Sequence, residues 1–237
     1  MNNEYKEVLQ RLREERVKLN LTQRLLCYRM KMLQSHYSRA ESGSKRFSYD
    51  EMKGLCTSDV DIFYVFTGKK SKSGQDFVAL REFGSGEILC YLNTMYILAK
   101  AVRLVDRNRI SFELVQRQLE FLQYGNGNIG NKANIFYCVR NQRGYTQQKM
   151  ADYLGIDIKK LRGLEHGKIR PDSEMVWKMY HLFEISPAYI LEDEKGLWKE
   201  LNYVLDLLES NEREIVIHVL ENEQELMRYC RLFTVGF

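Results

Sequence analysis

The chain repeats itself. Laying Leu21-Thr22-Gln23 over Tyr145-Thr146-Gln147, an offset of 124, puts Arg16 on Arg140, Leu26 on Met150, Cys27 on Ala151, Met30 on Leu154 and Met32 on Ile156. Tyr37 then falls on Leu161, Ala40 on Leu164, Glu41 on Glu165 and Gly43 on Gly167, followed by Met52 and Leu55 on Val176 and Met179. One extra residue in the second repeat brings the segment Val60 to Val65 over Ile185 to Ile190, so the register holds for about 60 residues. Two copies are too few for a solenoid, which needs several neighbours to bury each repeat's open face. One small module is used twice. At 237 residues the chain is long enough for two compact units.

The spacing inside each repeat is helical. Met150, Ala151 and Leu154 form an i, i+1, i+4 stripe. Gly155 can adopt the left-handed backbone that ends a helix, and Asp157 is a good N-cap for the next. That next helix turns Leu161 and Leu164 inward and closes at Gly167. Pro171 and Asp172 then start another, which carries Val176, Met179 and Tyr180. Short helices with tight turns and no alternating strand pattern predict an all-α module of about five helices.

These residues resemble the Cro/cI-type (XRE, lambda-repressor-like) helix-turn-helix family. The family pattern is an Arg, then Leu-Thr-Gln, an apolar-Ala pair, Leu-Gly-Val, a short polar stretch and Glu-x-Gly. The second repeat follows it as Arg140, Tyr145-Thr146-Gln147, Met150-Ala151, Leu154-Gly155-Ile156 and Glu165-x-Gly167, and continues with Pro171-Asp172-Ser173-Glu174 and Ile185 to Leu191. The first keeps Arg16, Leu21-Thr22-Gln23 and Glu41-x-Gly43. It departs at Lys31, where the family has Gly, and at Leu33, where the second repeat has Asp157. A left-handed Lys costs about 1–2 kcal/mol relative to Gly, so a changed turn is expected there. A first repeat that has degenerated and packs against protein is the alternative.

The resemblance implies two five-helix DNA-binding domains, each presenting the start of a recognition helix to a major groove. Gln23 and Gln147, at the N-terminus of the preceding helix, would meet phosphate. The base-reading positions would be Gln34, Ser35, His36 and Arg39 in the first repeat, and Ile158, Lys159, Lys160 and Arg162 in the second, with Gly163 where a longer reader would sit. Gln can pair with adenine and Arg with guanine, whereas adjacent lysines grip phosphate and Ile158 can touch a thymine methyl. The first repeat is thus expected to carry sequence preference and the second general affinity. Lys45, Arg46, Lys168 and Arg170 would approach the sugar-phosphate chain. Arg16 with Glu41, and Arg140 with Glu165, would form internal ion pairs that orient helices and read nothing.

Between the repeats, residues 67–76 read as a loop. Ile88, Leu89, Leu92, Met95, Tyr96, Ala99 and Val102 form one helical stripe, and Phe112, Val115, Leu119 and Leu122 a second. A helical hairpin joined around Asp106 to Arg109 fits them, as a spacer or a dimerisation element. Gly125 to Gly130 spells G-x-G-x-x-G, but a dinucleotide site needs a preceding strand. A helix precedes it here, so a flexible linker is expected. After the second repeat, Leu197, Trp198, Leu201, Val204, Leu205 and Leu208 mark an amphipathic helix. Another is expected from Glu212 to Phe233, with Ile215, Val216, Val219, Leu220, Leu226, Met227 and Cys230 on its apolar side. Homodimer contacts are placed in residues 87–124 or 195–233.

Charge follows the same division. Residues 1–70 carry 14 basic and 9 acidic residues and residues 131–191 carry 10 and 6, while the tail from 192 carries 5 and 11. The repeats suit a polyanion and the tail does not. Five widely spaced cysteines without a C-x-x-C pair argue against a disulfide framework or a zinc site. His36, His166, His181 and His218 are isolated, without metal-ligand spacing or a paired nucleophile, so no enzyme, cofactor or metal is expected. No window approaches 18 apolar residues, and the charged N-terminus lacks the apolar core of a signal peptide, so a cytoplasmic chain without a membrane partner is expected.

The sequence therefore reads as an all-α, bacterial-type transcriptional regulator whose partner is double-stranded DNA. Its expected parts are a helix-turn-helix domain at 1–68, a helical hairpin at 69–130, a second such domain at 131–192 and acidic C-terminal helices at 193–237. The alternative is an adaptor or antitoxin-like component whose helix-turn-helix units hold a protein.

Overall fold

A computed structural model of the chain describes residues 3–71, 135–211, 213–214 and 217–218. The regular elements among the described residues are all helices. The first repeat contains α1 (Asn3–Lys18), α2 (Gln23–Met30), α3 (Gln34–Glu41), α4 (Tyr49–Cys56) and α5 (Ile62–Thr67). The second contains α6 (Ile135–Gln142), α7 (Gln147–Leu154), α8 (Ile158–Glu165), α9 (Ser173–Phe183) and α10 (Pro187–Ile190), and α11 (Glu194–Leu205) follows. α2 and α7 begin and end 124 residues apart, as do α3 and α8, and α5 and α10 begin 125 apart.

Local chemistry explains the matched boundaries. Thr22 and Thr146 each cap a helix by accepting from the backbone N–H three residues on, at 3.1 Å in both cases. Ser48 and Asp172 cap α4 and α9, and Asp61 and Ser186 cap α5 and α10. The turn after α2 does not change despite Lys31. Lys31 takes φ 54°, ψ 40°, close to the φ 61°, ψ 43° of Gly155. Met32 N bonds Cys27 O just as Ile156 N bonds Ala151 O, both at 3.0 Å. The surrounding packing therefore holds a lysine in a conformation that favours glycine. Leu33 gives α3 an extended N-cap residue with no side-chain bond, where Asp157 accepts from Lys160 N.

The described parts of residues 1–70 and 120–197 form one compact unit; those of 71–119 and 198–237 form another. In the first unit a single buried cluster runs through both repeats, from Tyr5, Leu26 and Met52 to Met150, Leu161 and Val176. The segments 1–68 and 131–192 thus do not stand apart. α5 packs on α9 and α10. Ser173 N donates to Phe47 O at 2.9 Å and Phe47 N donates back to Ser173 Oγ at 3.1 Å. The Tyr5 and Trp177 rings meet edge to face at 6.0 Å.

In the second unit, Leu205 is buried, and Asp206 accepts from Ser71 Oγ at 2.7 Å and pairs with Arg213 at 3.4 Å. The hairpin expected over 87–124, the Gly125 to Gly130 segment and most of the helix expected from Glu212 to Phe233 lie outside the described residues. No described helix is long and apolar enough to cross a membrane.

Candidate nucleic-acid interface

α8 is amphipathic by its spacing. Leu161 and Leu164 are fully buried, which turns Lys159 and Arg162 to solvent and leaves Ile158 and Lys160 half-buried. Gly163 lies at a close approach. A Cβ there would collide with Ile169, because the chain folds back after Gly167 and both Lys168 N and Ile169 N bond Gly163 O. Lys168 is exposed on that returning segment.

A polar chain fixes α8 from beneath. The Arg140 guanidinium donates to the Glu165 carboxylate through Nε and to Tyr145 O at 3.2 Å. Gln147 Nε2 donates to Glu165 Oε2 at 2.8 Å, and Gln147 Oε1 accepts from Arg162 Nε at 3.0 Å. Gln147 is therefore a strut. It joins a buried carboxylate to an exposed guanidinium and holds that guanidinium over the start of α7.

The first repeat rebuilds the same cluster. Arg16 Nε donates to Glu41 Oε1 at 2.8 Å and its Nη1 to Leu21 O at 2.9 Å, while Gln23 Nε2 donates to Glu41 Oε2 at 2.5 Å. Tyr37 Oη adds a bond to Glu41 at 3.1 Å. Burial first, then the Glu41 charge, pushes the Tyr37 phenol far above its ordinary range. The hydrogen bond that Arg16 donates to Glu41 raises the guanidinium further. On α3, Gln34, Ser35 and Arg39 are exposed and His36 is half-buried; Arg39 Nε returns to Ser35 O at 3.2 Å.

Several basic residues expected on the sugar-phosphate chain are engaged elsewhere. Arg46 pairs with Glu174 of the second repeat at 2.7 Å and lies 4.8 Å over the Tyr5 ring. Arg170 pairs with Asp50 of the first repeat at 2.7 Å and lies 5.0 Å over Tyr49. These two arginines join the repeats. Lys45 pairs with Glu51 at 2.9 Å, and Lys160 reaches Asp172 at 3.4 Å. Lys149, which sequence reasoning passed over, is exposed on the first turn of α7, 4.3 Å from the Tyr145 ring centroid. Its place two residues after Gln147 was the available signal.

Residues 133–195 match a family model described as a helix-turn-helix domain. The SPbeta prophage-derived uncharacterized HTH-type transcriptional regulator YonR of Bacillus subtilis is 36% identical over 53 residues, which are 22% of this chain and 49% of that protein. The chain thus spans about half the length of this curated relative. No solved structure matches it at a significant level. Residues 133–195 form a helix-turn-helix domain, and a 53-residue stretch of the chain is similar to part of that HTH-type regulator.

Proposed function

We propose that the protein is a bacterial-type, cytoplasmic transcriptional regulator that binds double-stranded DNA through both repeats. One observation carries this reading: α8 buries Leu161 and Leu164 while turning Lys159 and Arg162 to solvent, with Lys168 exposed just beyond it. A helix held this way offers cations to a groove and its phosphates. In the first repeat, α3 offers Gln34, Ser35 and Arg39, with His36 at its edge. The role needs no cofactor and no catalytic step.

The test is a duplex titration with the full chain at rising salt. Four phosphate contacts lose about a hundredfold in affinity between 50 and 200 mM salt. Lys159→Ala with Arg162→Ala weakens binding to all sequences alike.

A second reading, a protein-binding adaptor, draws on the first repeat. Leu25, Tyr28 and Leu33 are 41%, 82% and 66% exposed, at positions where the second repeat has Lys149, Asp152 and Asp157. Apolar groups of that size on a surface suit a protein partner. Absence of duplex binding at low salt selects this reading over the first.

A further inference from the structure

Arg46 and Arg170 are the same position in the two repeats, as are Asp50 and Glu174. The structure joins them crosswise. Arg46 Nε lies 2.7 Å from Glu174 Oε2, and Arg170 Nη1 lies 2.7 Å from Asp50 Oδ1. A contact between position i of one copy and j of the other, returned between j and i, is the mark of a twofold axis; a head-to-tail arrangement uses two different faces.

The packing of equivalent elements follows the same axis. α5 and α10 are equivalent elements and pack on each other, as elements lying on a twofold must. Lys53 of α4 donates through Nζ to Leu191 O at 2.8 Å and Glu192 O at 3.1 Å, just after α10. The opposite side uses other positions of the matching elements: Lys69, just after α5, lies 5.6 Å over the Tyr180 ring of α9.

The two recognition ends are not equivalent. One carries Gln34, Ser35, His36 and Arg39; the other carries Ile158, Lys159, Lys160 and Arg162. We propose that a single chain is a built-in pseudo-dimer, and that its ligand is an inverted repeat in double-stranded DNA with two unlike half-sites at one fixed spacing. This rests on the DNA-binding reading above. A twofold protein meets half-sites in opposite orientation, because the duplex has twofold axes of its own. A homodimer demands identical halves, whereas this chain does not. The shared core and crossed ion pairs replace a flexible tether, so the spacing is set by the fold.

The experiment selects bound duplexes from a random library with the full chain, then counts chains per duplex by sedimentation. The expected result is an imperfect inverted repeat bound by one chain. Gln34→Ala with Arg39→Ala relaxes selection in one half only, and both residues are exposed, so the fold survives. Inserting five base pairs between the halves, half a helical turn, costs about a hundredfold because both ends can no longer engage together. A direct repeat, a lone half-site, two chains on one duplex or a tolerated insertion each overturns the pseudo-dimer and leaves the DNA-binding reading standing. No enrichment of any duplex overturns both.

Discussion

Tyr5 and Ser173 share a hydrogen bond of 2.5 Å between their hydroxyls, although 168 residues separate them. Ser173 Oγ also accepts from Phe47 N at 3.1 Å, and burial pushes the Tyr5 phenol up to about 12. One serine hydroxyl thus joins the start of α1, the segment before α4 and the start of α9. Tyr5→Phe removes one partner and is expected to cost about 1 kcal/mol. Ser173→Ala strands both Phe47 N and the phenol, and is expected to cost about 2 kcal/mol. Urea unfolding should show one transition for both repeats, whether followed by circular dichroism or, in a Trp198→Phe background, by Trp177 fluorescence. Two separated transitions in the unsubstituted chain count against a shared core.

Glu165 is buried between Arg140 and Gln147. Glu165→Ala leaves a guanidinium without its carboxylate, and breaking one side of a buried pair costs about 3–5 kcal/mol. Loss of duplex binding in that variant reports unfolding. Gln147→Ala separates the two effects. It removes the strut to Arg162 at a cost of about 1 kcal/mol, so thermal unfolding barely moves while duplex affinity falls.

Acid should loosen the seam between the repeats. Burial raises the Glu174 carboxyl, but the hydrogen bond and charge of Arg46, joined by Lys178, outweigh it and hold the group below its ordinary 4.5. A carboxylate with a depressed folded value contributes stability that is present above the unfolded value and lost as pH falls through the folded one. Stability measured by urea midpoint should therefore decline from about pH 5 downward, more steeply in the unsubstituted chain than in Glu174→Gln. Equal slopes in the two proteins would show that this pair contributes nothing to the acid response.

The repeat and the turns were legible because they are local. Thr146, Gly155 and Asp157 announce a helix start, a stop and the next start within twelve residues, and α7 and α8 fall where those signals put them. The seam was not legible. Arg46 and Arg170 follow Glu-x-Gly in each repeat, and a basic residue there looks the same whether it meets a phosphate or a carboxylate. Their partners lie 128 and 120 positions away. The bonds of Gln147 were out of reach for a related reason: its place at a helix start suits an anion, and nothing local shows that Glu165 and Arg162 also bond its amide.

The first repeat carries two local costs that the second does not. Lys31 sits at φ 54° and Leu33 heads α3 without a side-chain cap. Lys31→Gly removes left-handed strain of about 1–2 kcal/mol but adds unfolded-chain entropy, so a net gain of about 0.5–1 kcal/mol is expected. Leu33→Asp supplies the cap that Asp157 supplies to α8 and is expected to add about 1 kcal/mol. The mirror change, Gly155→Ala, puts a side chain at φ 61°, 3.4 Å from Lys178 Nζ, and should cost about 1–2 kcal/mol. Urea midpoints check all three signs. If α3 meets DNA, Leu33→Asp also sets a carboxylate beside phosphate. That variant should then be more stable and bind duplex more weakly, a combination that a purely structural first repeat does not produce.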